Sequence, residues 1–302
     1  MPAPSTLLDC VIIGAGAAGL TAATYLARFR RRIQVLDAGA SRMLWIPTSH
    51  NFPSFADGIH GKDLLVRLRE QAARYGVDVA TCTVDRIDKL DDGTFVAVSG
   101  LMQWHARTVI LATGVVDIAP LFPELKRAVA SGCVRYCPVC DGFEAIGKRV
   151  AVVGKAKGGM GEAMFVRHFA DSLSLLSIEE PIRLTAEELE KMRAARVDVA
   201  SEPVALLAFD SSDKMYLQLR DGTQQWFDVV YFALGSQVNS GLARRLGAAS
   251  GDKGDLLVDA HQQTAVDGLY AAGDVVAGLN QIAVAMGQAA VAATAIHNRL
   301  RK

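Results

Sequence analysis

Cys137 and Cys140, separated by two residues and followed directly by Asp141, stand in the stretch RYCPVCDGFE, residues 135–144. Thiols at i and i+3 on a turn or helix start can close a small disulfide ring, and helix-start N–H groups favour the thiolate near neutral pH. Pro138 between them restricts the backbone, which acts on the pair's redox poise. Asp141, if buried, can protonate a leaving thiolate. Two other chemistries use the same spacing: zinc ligation and a purely structural bridge. Zinc normally takes a second ligand pair. Here only Cys133 lies nearby, and no second CxxC or CxxH follows. A thiol–disulfide exchange pair is the leading reading, with no metal expected.

The flanking sequence supplies elements able to carry electrons to such a pair. An apolar strand over residues 7–13 runs into Gly14, Gly16 and Gly19, then an Ala-rich helix, then a second strand, IQVLD, ending at Asp37. Strand, GxGxxG, helix, strand and acid in this order predict a dinucleotide-binding unit. Gly14 permits the tight turn, Gly16 the approach of a pyrophosphate, and Gly19 close packing of helix on strand. The helix N-terminus offers free N–H groups and positive potential, and Asp37 is placed to accept from a ribose hydroxyl. A second unit of the same plan starts after the cysteines. KRVAVVGKAKGGMGEAMFVRHFADSLSLL predicts a strand to Val153, a turn through Gly154, Lys155, Lys157 and Gly159, a helix to about Ala170 and a strand over Leu173–Leu176.

Composition is compatible with this plan and excludes other classes. The chain has 302 residues, 51% of them hydrophobic, enough for two domains with buried cores. Lys plus Arg and Asp plus Glu both number 32, so the net charge is zero and no broad basic surface for nucleic acid is expected. No leader pattern and no apolar run of about 20 residues is present, which predicts a soluble cytoplasmic protein away from membranes. Five cysteines, Cys10, Cys82, Cys133, Cys137 and Cys140, suit a reducing compartment. Cys10 and Cys82 read as small core residues. Helix-then-strand repeats predict a parallel sheet in each unit, and Thr185 with Glu188 reads as a capping box.

Two further stretches, RTVILATG (107–114) and GLYAAGDV (268–275), combine with the fingerprints and CPVCD into an order of motifs that resembles the low-molecular-weight, thioredoxin-reductase-like flavoproteins over nearly the whole chain. The resemblance implies an α/β fold of two Rossmann-like three-layer domains, the second inserted into the first. Residues 1–117 and 241–302 would form the FAD domain, and 118–240 the insertion carrying the cysteines. It implies FAD against Gly14, Gly16, Ala17, Gly19, Asp37, Ala38, Arg42, His50, Asn51, Thr113, Gly114, Gly273, Asp274, Gln281 and Ile282. Asp274 would hold the ribityl chain, and a helix starting near Gln281 and Ile282 would face the flavin pyrimidine ring. Cys140 would be the flavin-proximal thiol, Cys137 the interchange thiol and Asp141 the acid. A homodimer and a thioredoxin-like or small disulfide or dithiol partner are also implied.

The inserted unit departs from the NADPH-using members. Ala156 stands where glycine admits the pyrophosphate, and Ser177, Ile178, Glu179 and Glu180 replace the arginine-rich stretch that holds a 2′-phosphate. Losing one bidentate charge-assisted contact costs on the order of 1.5–3 kcal/mol, so NADPH is disfavoured at least tenfold. Glu179 suits the ribose of NADH or of a second FAD, with Lys155 and Lys157 drawing the pyrophosphate. Ferredoxin or oxygen would be the other electron route. The expected function is FAD-dependent dithiol–disulfide exchange. A conventional NADPH-dependent thioredoxin reductase and a flavin-bearing redox sensor with a CxxC switch are the alternatives.

Overall fold

The computed structural model describes residues 7–301, with the side chains of Ala156 and Lys157 left out of the description. The chain divides into two compact units. One comprises the chain up to Leu44, Gly61–Val116 and the chain from Gln237 on; the other comprises Trp45–His60 and Asp117–Ser236.

The first unit is built on a seven-stranded sheet. Its central strand, Leu8–Ile13, pairs in parallel with Ile33–Asp37 on one side and with Met102–Leu111 on the other. The run LDCVII is nearly all apolar because both faces of the strand are covered, the burial that parallel sheets require. Met102–Leu111 is long enough to serve two neighbours along one edge: Phe95–Ser99 antiparallel on its first half, and Leu269–Ala271 parallel on its second. The hairpin Arg86–Lys89 and Phe95–Ser99 makes this sheet mixed, where helix–strand repeats predict an all-parallel one. Most charges of RIDKLDD fall on exposed positions, and their run does not read as a strand. Helix Ala17–Arg28 packs along the C-terminal helix Ile282–Arg299.

The second unit has a five-stranded parallel sheet in the order Val197–Val199, Ser172–Leu176, Arg149–Gly154, Val229–Ala233, Val134–Arg135. Its fingerprint helix runs Ala156–Val166, one turn shorter than the pattern predicts. A three-stranded antiparallel sheet, Val204–Phe209, Met215–Leu219 and Gln224–Phe227, covers one face and buries Phe209, Met215 and Phe227 with Phe232. Helix Ala186–Ala194 begins with the predicted capping box: Glu188 N donates to Thr185 Oγ1, and Thr185 N to the Glu188 carboxylate. Trp45–His60, which the sequence assigns with the flavin side, clusters with this unit. The segment is closed at its root by reciprocal hydrogen bonds between Ser49 and Ile59. The two chain crossings, Val115–Asp117 and Ser236–Val238, pair as a two-stranded ladder.

Candidate functional site

In the first unit the glycine fingerprint forms a cradle whose geometry follows from missing side chains. Gly14 has φ +104°, in the region that favours glycine, and a Cβ there would strike the Ala112 carbonyl. A Cβ on Gly19 would overlap the Gly14 carbonyl oxygen and lie 2.9 Å from its carbon, so helix and strand meet backbone to backbone. Gly16 is the N-cap of helix Ala17–Arg28 and supplies no side-chain cap, leaving the N–H groups at the helix start for an external acceptor. A pyrophosphate fits this cradle. Asp37 is buried at the end of its strand, and both carboxylate oxygens are engaged: Ala15 N donates to Oδ1 at 3.0 Å and Arg69 Nη2 to Oδ2 at 3.0 Å. Each oxygen keeps a second lone pair for a ribose hydroxyl, and Ala38 follows on the surface.

The remaining flavin-side residues come together in pairs. Arg42 Nη1 and Asp274 Oδ2 form an ion pair at 2.9 Å. Gly273, at φ +83°, lies where a Cβ would sit 3.0 Å from Ala18 Cβ, and its N–H donates to Gln288 Oε1. Gln281 is the N-cap and Ile282 the first residue of helix Ile282–Arg299, again without a side-chain cap. Thr113 and Gly114 are held by a residue that the sequence does not single out. Asn239 receives the Thr113 hydroxyl on its carbonyl at 2.7 Å, donates its side-chain amide to Thr113 O at 3.0 Å, and donates its N–H to Gly114 O at 3.0 Å. Uncapped helix starts, an open-backed glycine turn and an oriented carboxylate together fit FAD.

In the second unit Cys137 and Cys140 are joined as a disulfide with a Cα–Cα distance of 5.3 Å. Cys137 is the N-cap of the one-turn helix Pro138–Asp141, Pro138 takes the first helical position, and Cys140 N donates to Cys137 O at 2.9 Å. Proline's fixed φ suits that position, so the sequence itself presets the turn. Asp141 is anchored from two strands, one 90 residues further along the chain and one six residues upstream. Tyr231 Oη donates to its Oδ1 at 2.9 Å, and Arg135 Nη1 donates to its carbonyl oxygen at 2.5 Å while lying 3.9 Å from Oδ1. Burial pushes the Asp141 carboxyl up to about 6, against the opposing pull of the Arg135 charge and the Tyr231 hydrogen bond; Glu144 adds a smaller upward push. Burial also drives the Tyr231 hydroxyl far up, which keeps it a donor. Neither partner is legible in CPVCD.

Two residues of the Trp45–His60 segment orient the turn. Ser49 Oγ donates to Asn51 Oδ1 at 3.1 Å, and Asn51 Nδ2 donates to the carbonyl of Val139, between the cysteines, at 3.2 Å. His50 is exposed, its ring against Gly58, where a Cβ would lie 2.7 Å from Nδ1. Cys133 is buried in the core, with its thiol pushed up to about 12 by desolvation, as is that of Cys10. Both are inert as nucleophiles. Cys82 is half-buried.

The second fingerprint is also tight at its crossing: a Cβ on Gly154 would lie 2.7 Å from Gly159 Cα. Lys155 Nζ pairs with Glu179 Oε2 at 3.0 Å, both largely exposed, and Arg220 Nη2 donates to the Glu179 carbonyl. The side chain of Lys157 lies outside the described residues. Among the described residues no helix is long and apolar enough to cross a membrane.

This geometry agrees with what known proteins show. The family model described as pyridine nucleotide-disulphide oxidoreductase matches residues 8–289. A thioredoxin reductase of Mycolicibacterium smegmatis is 31% identical over 285 residues, 91% of each chain. Among solved structures, the thioredoxin reductase of Streptococcus pyogenes MGAS5005 superposes with a TM-score of 0.88 at 25% identity, over 98% of this chain and 99% of that one. The structure of HlmI superposes with a TM-score of 0.89 at 27% identity, over 98% of this chain and 93% of that one. The protein therefore belongs to the pyridine nucleotide-disulphide oxidoreductases, as a thioredoxin-reductase-like, flavin-dependent disulfide oxidoreductase.

Proposed function

We propose that the protein exchanges two electrons between FAD and the Cys137–Cys140 disulfide, and between that pair and the disulfide of a partner, without conventional use of NADPH. The observation that carries this reading is the disulfide at the start of a one-turn helix, beside a carboxyl anchored by Tyr231 and Arg135. When bound, FAD supplies the two-electron carrier. The chain's own residues do the rest. Gly14, Gly16 and Gly19 with the helix start hold the pyrophosphate, Asp37 and Ala38 the adenosine side, and Arg42, Asp274, Thr113, Gly114, Gln281 and Ile282 the flavin side. Asn51 and His50, expected at the flavin, lie in the loop from which Asn51 holds the cysteine turn.

In the dithiol state the Cys137 thiolate attacks one sulfur of the partner disulfide, forming a mixed disulfide and expelling one partner thiolate. Cys140 then attacks the Cys137 sulfur, restoring the internal bond and expelling the second. The two leaving thiolates each take a proton, and Asp141 is placed to provide one and recover it from water. Run in reverse, the same steps oxidise a dithiol. Val139, Phe143 and Ile146 are exposed around the turn, an apolar rim suited to a protein partner, and the thioredoxin reductases among the relatives favour a thioredoxin-like one.

Glu179 supports a nucleotide without a 2′-phosphate at the second fingerprint, NADH or a second FAD, held by Gly154, Lys155, Lys157 and Gly159. A ferredoxin is the donor if that site takes no nucleotide. Anaerobic titration of the flavoprotein with NADH and NADPH in parallel tests this. Bleaching of the flavin band by NADH, or by neither, supports the reading; stoichiometric bleaching by NADPH overturns it. Full disulfide turnover by Cys140→Ser would sink the assignment of the pair.

A further inference from the structure

Tyr231 is completely buried in the middle of strand Val229–Ala233, among residues of ordinary core type. A hydroxyl taken into such a place costs free energy unless it is hydrogen-bonded. The neighbouring parallel strand Val134–Arg135 pairs Tyr231 with Arg135. Paired residues of adjacent strands present their side chains on the same face of the sheet. On that face both side chains meet Asp141.

Distance divides the work between them. Arg135 holds the main chain: Nη1 donates to the Asp141 carbonyl at 2.5 Å and Nε to the Gly132 carbonyl at 2.7 Å, while Oδ1 of Asp141 lies 3.9 Å away, too far for a hydrogen bond. Tyr231 holds the carboxyl. Its Oη lies 2.9 Å from Oδ1 and 3.0 Å from the carbonyl oxygen of the same residue, and it accepts from Arg135 Nη1 at 3.3 Å.

A hydroxyl has one proton and two lone pairs. With its proton on Oδ1, Tyr231 suits an ionised Asp141. With that proton turned to the carbonyl oxygen, a lone pair is left for Oδ1 and suits a protonated Asp141. Arginine or lysine at this position could only donate, and would serve the ionised form alone. The Asp141 side chain keeps 17% of its surface exposed, so water can return a proton to it.

We propose that Tyr231 is a positioning residue for the exchange reaction: its hydroxyl holds Oδ1 of Asp141 in one place in both protonation states, so that the acid gives up and regains its proton without moving. The carboxyl proton goes to the leaving thiolate, the phenol keeps its own, and water restores the carboxyl. This inference rests on the reading of Cys137–Cys140 as the exchange pair and Asp141 as its acid.

The test is single-turnover reduction of two disulfides by the FAD-loaded protein, reduced anaerobically with dithionite and freed of excess, for the wild type, Tyr231→Phe, Asp141→Asn and the double variant. Bis-hydroxyethyl disulfide releases a basic alkyl thiolate that takes a proton as it leaves. Dithiobis-nitrobenzoate releases an acidic aryl thiolate that leaves without one. Phenylalanine keeps the ring, and Arg135 keeps its bond to the Asp141 carbonyl. Tyr231→Phe should slow the alkyl reaction about tenfold and the aryl reaction by less than about twofold, the latter also showing that the variant is folded. In the Asp141→Asn background the same substitution should cost nothing further, because Tyr231 acts through that carboxyl. The proposal is overturned if Tyr231→Phe leaves the alkyl rate unchanged, if it slows both disulfides alike, or if its cost persists in the Asp141→Asn background. Failure of the underlying reading has a different signature: Asp141→Asn alone reduces the alkyl disulfide at the full rate, which removes the acid and this inference with it.

Discussion

Two glycine-to-alanine substitutions in equivalent fingerprint helices have opposite expected signs. At Gly19 the added methyl overlaps the Gly14 carbonyl oxygen and lies 2.9 Å from its carbon, against a comfortable carbon–carbon separation of about 3.5 Å. Neither atom is the end of a flexible side chain, so the helix must back away from the strand. That helix buries Leu20, Ala22, Ala23 and Leu26 completely, and retreat loosens all four. Overpacking of this kind costs about 3 kcal/mol, a large share of a total stability of about 5–15 kcal/mol. Gly161, inside Ala156–Val166, has nothing within 4 Å of the place a Cβ would take, and alanine there gains up to about 1 kcal/mol of helix propensity. Urea unfolding of both variants, with flavin content measured on the same samples, reads the difference of about 4 kcal/mol. Gly19→Ala should also purify with much of its flavin lost. The steric reasoning is refuted if Gly19→Ala keeps its flavin and its stability to within about 0.5 kcal/mol, or if Gly161→Ala is the more damaging of the two.

Three further outcomes are expected. Asp141→Asn removes a carboxyl whose folded pKa is raised to about 6, so the wild type loses stability relative to the variant as pH rises from about 4 to about 6, by up to about 3 kcal/mol. Unfolding at pH 4 and pH 7 checks the sign, and turnover at pH 7 should drop about a hundredfold. Thr185→Ala breaks both arms of the capping box and should cost about 1 kcal/mol in thermal or urea melts without touching the cysteines. Glu179→Arg removes an exposed partner of Lys155 and should change stability by less than about 0.5 kcal/mol, yet raise affinity for NADPH over NADH by about tenfold in direct binding titrations.

The parts of the site legible in the sequence are those whose geometry is local. The roles of Gly14 and Gly19 follow from backbone clashes within one strand–turn–helix, so spacing alone carries them. The Thr185–Glu188 box and the helix start at Gln281 and Ile282 are equally short-range. Tyr231 stands 90 residues from the Asp141 carboxyl it serves, on a strand whose sequence, VVYFA, is that of ordinary core. Asn239 reaches back 126 residues to Thr113. The place of Trp45–His60 was hidden because chain order puts the segment with one unit while its contacts belong to the other.

Both excursions from the first unit are pinched at the neck. Ile118 N donates to Gly235 O at 2.9 Å, and Ser49 and Ile59 exchange hydrogen bonds at 2.8 and 3.0 Å. To the host sheet, the 118 residues from Ile118 to Gly235 therefore act as a loop of a few residues, which lowers the entropy of loop closure by about 3 kcal/mol compared with a slack insert of that length. A neck of this kind lets the inserted unit change in sequence and length without altering the strands that frame the flavin cradle. Diversification of donor and partner can then proceed in one unit while the other stays the same.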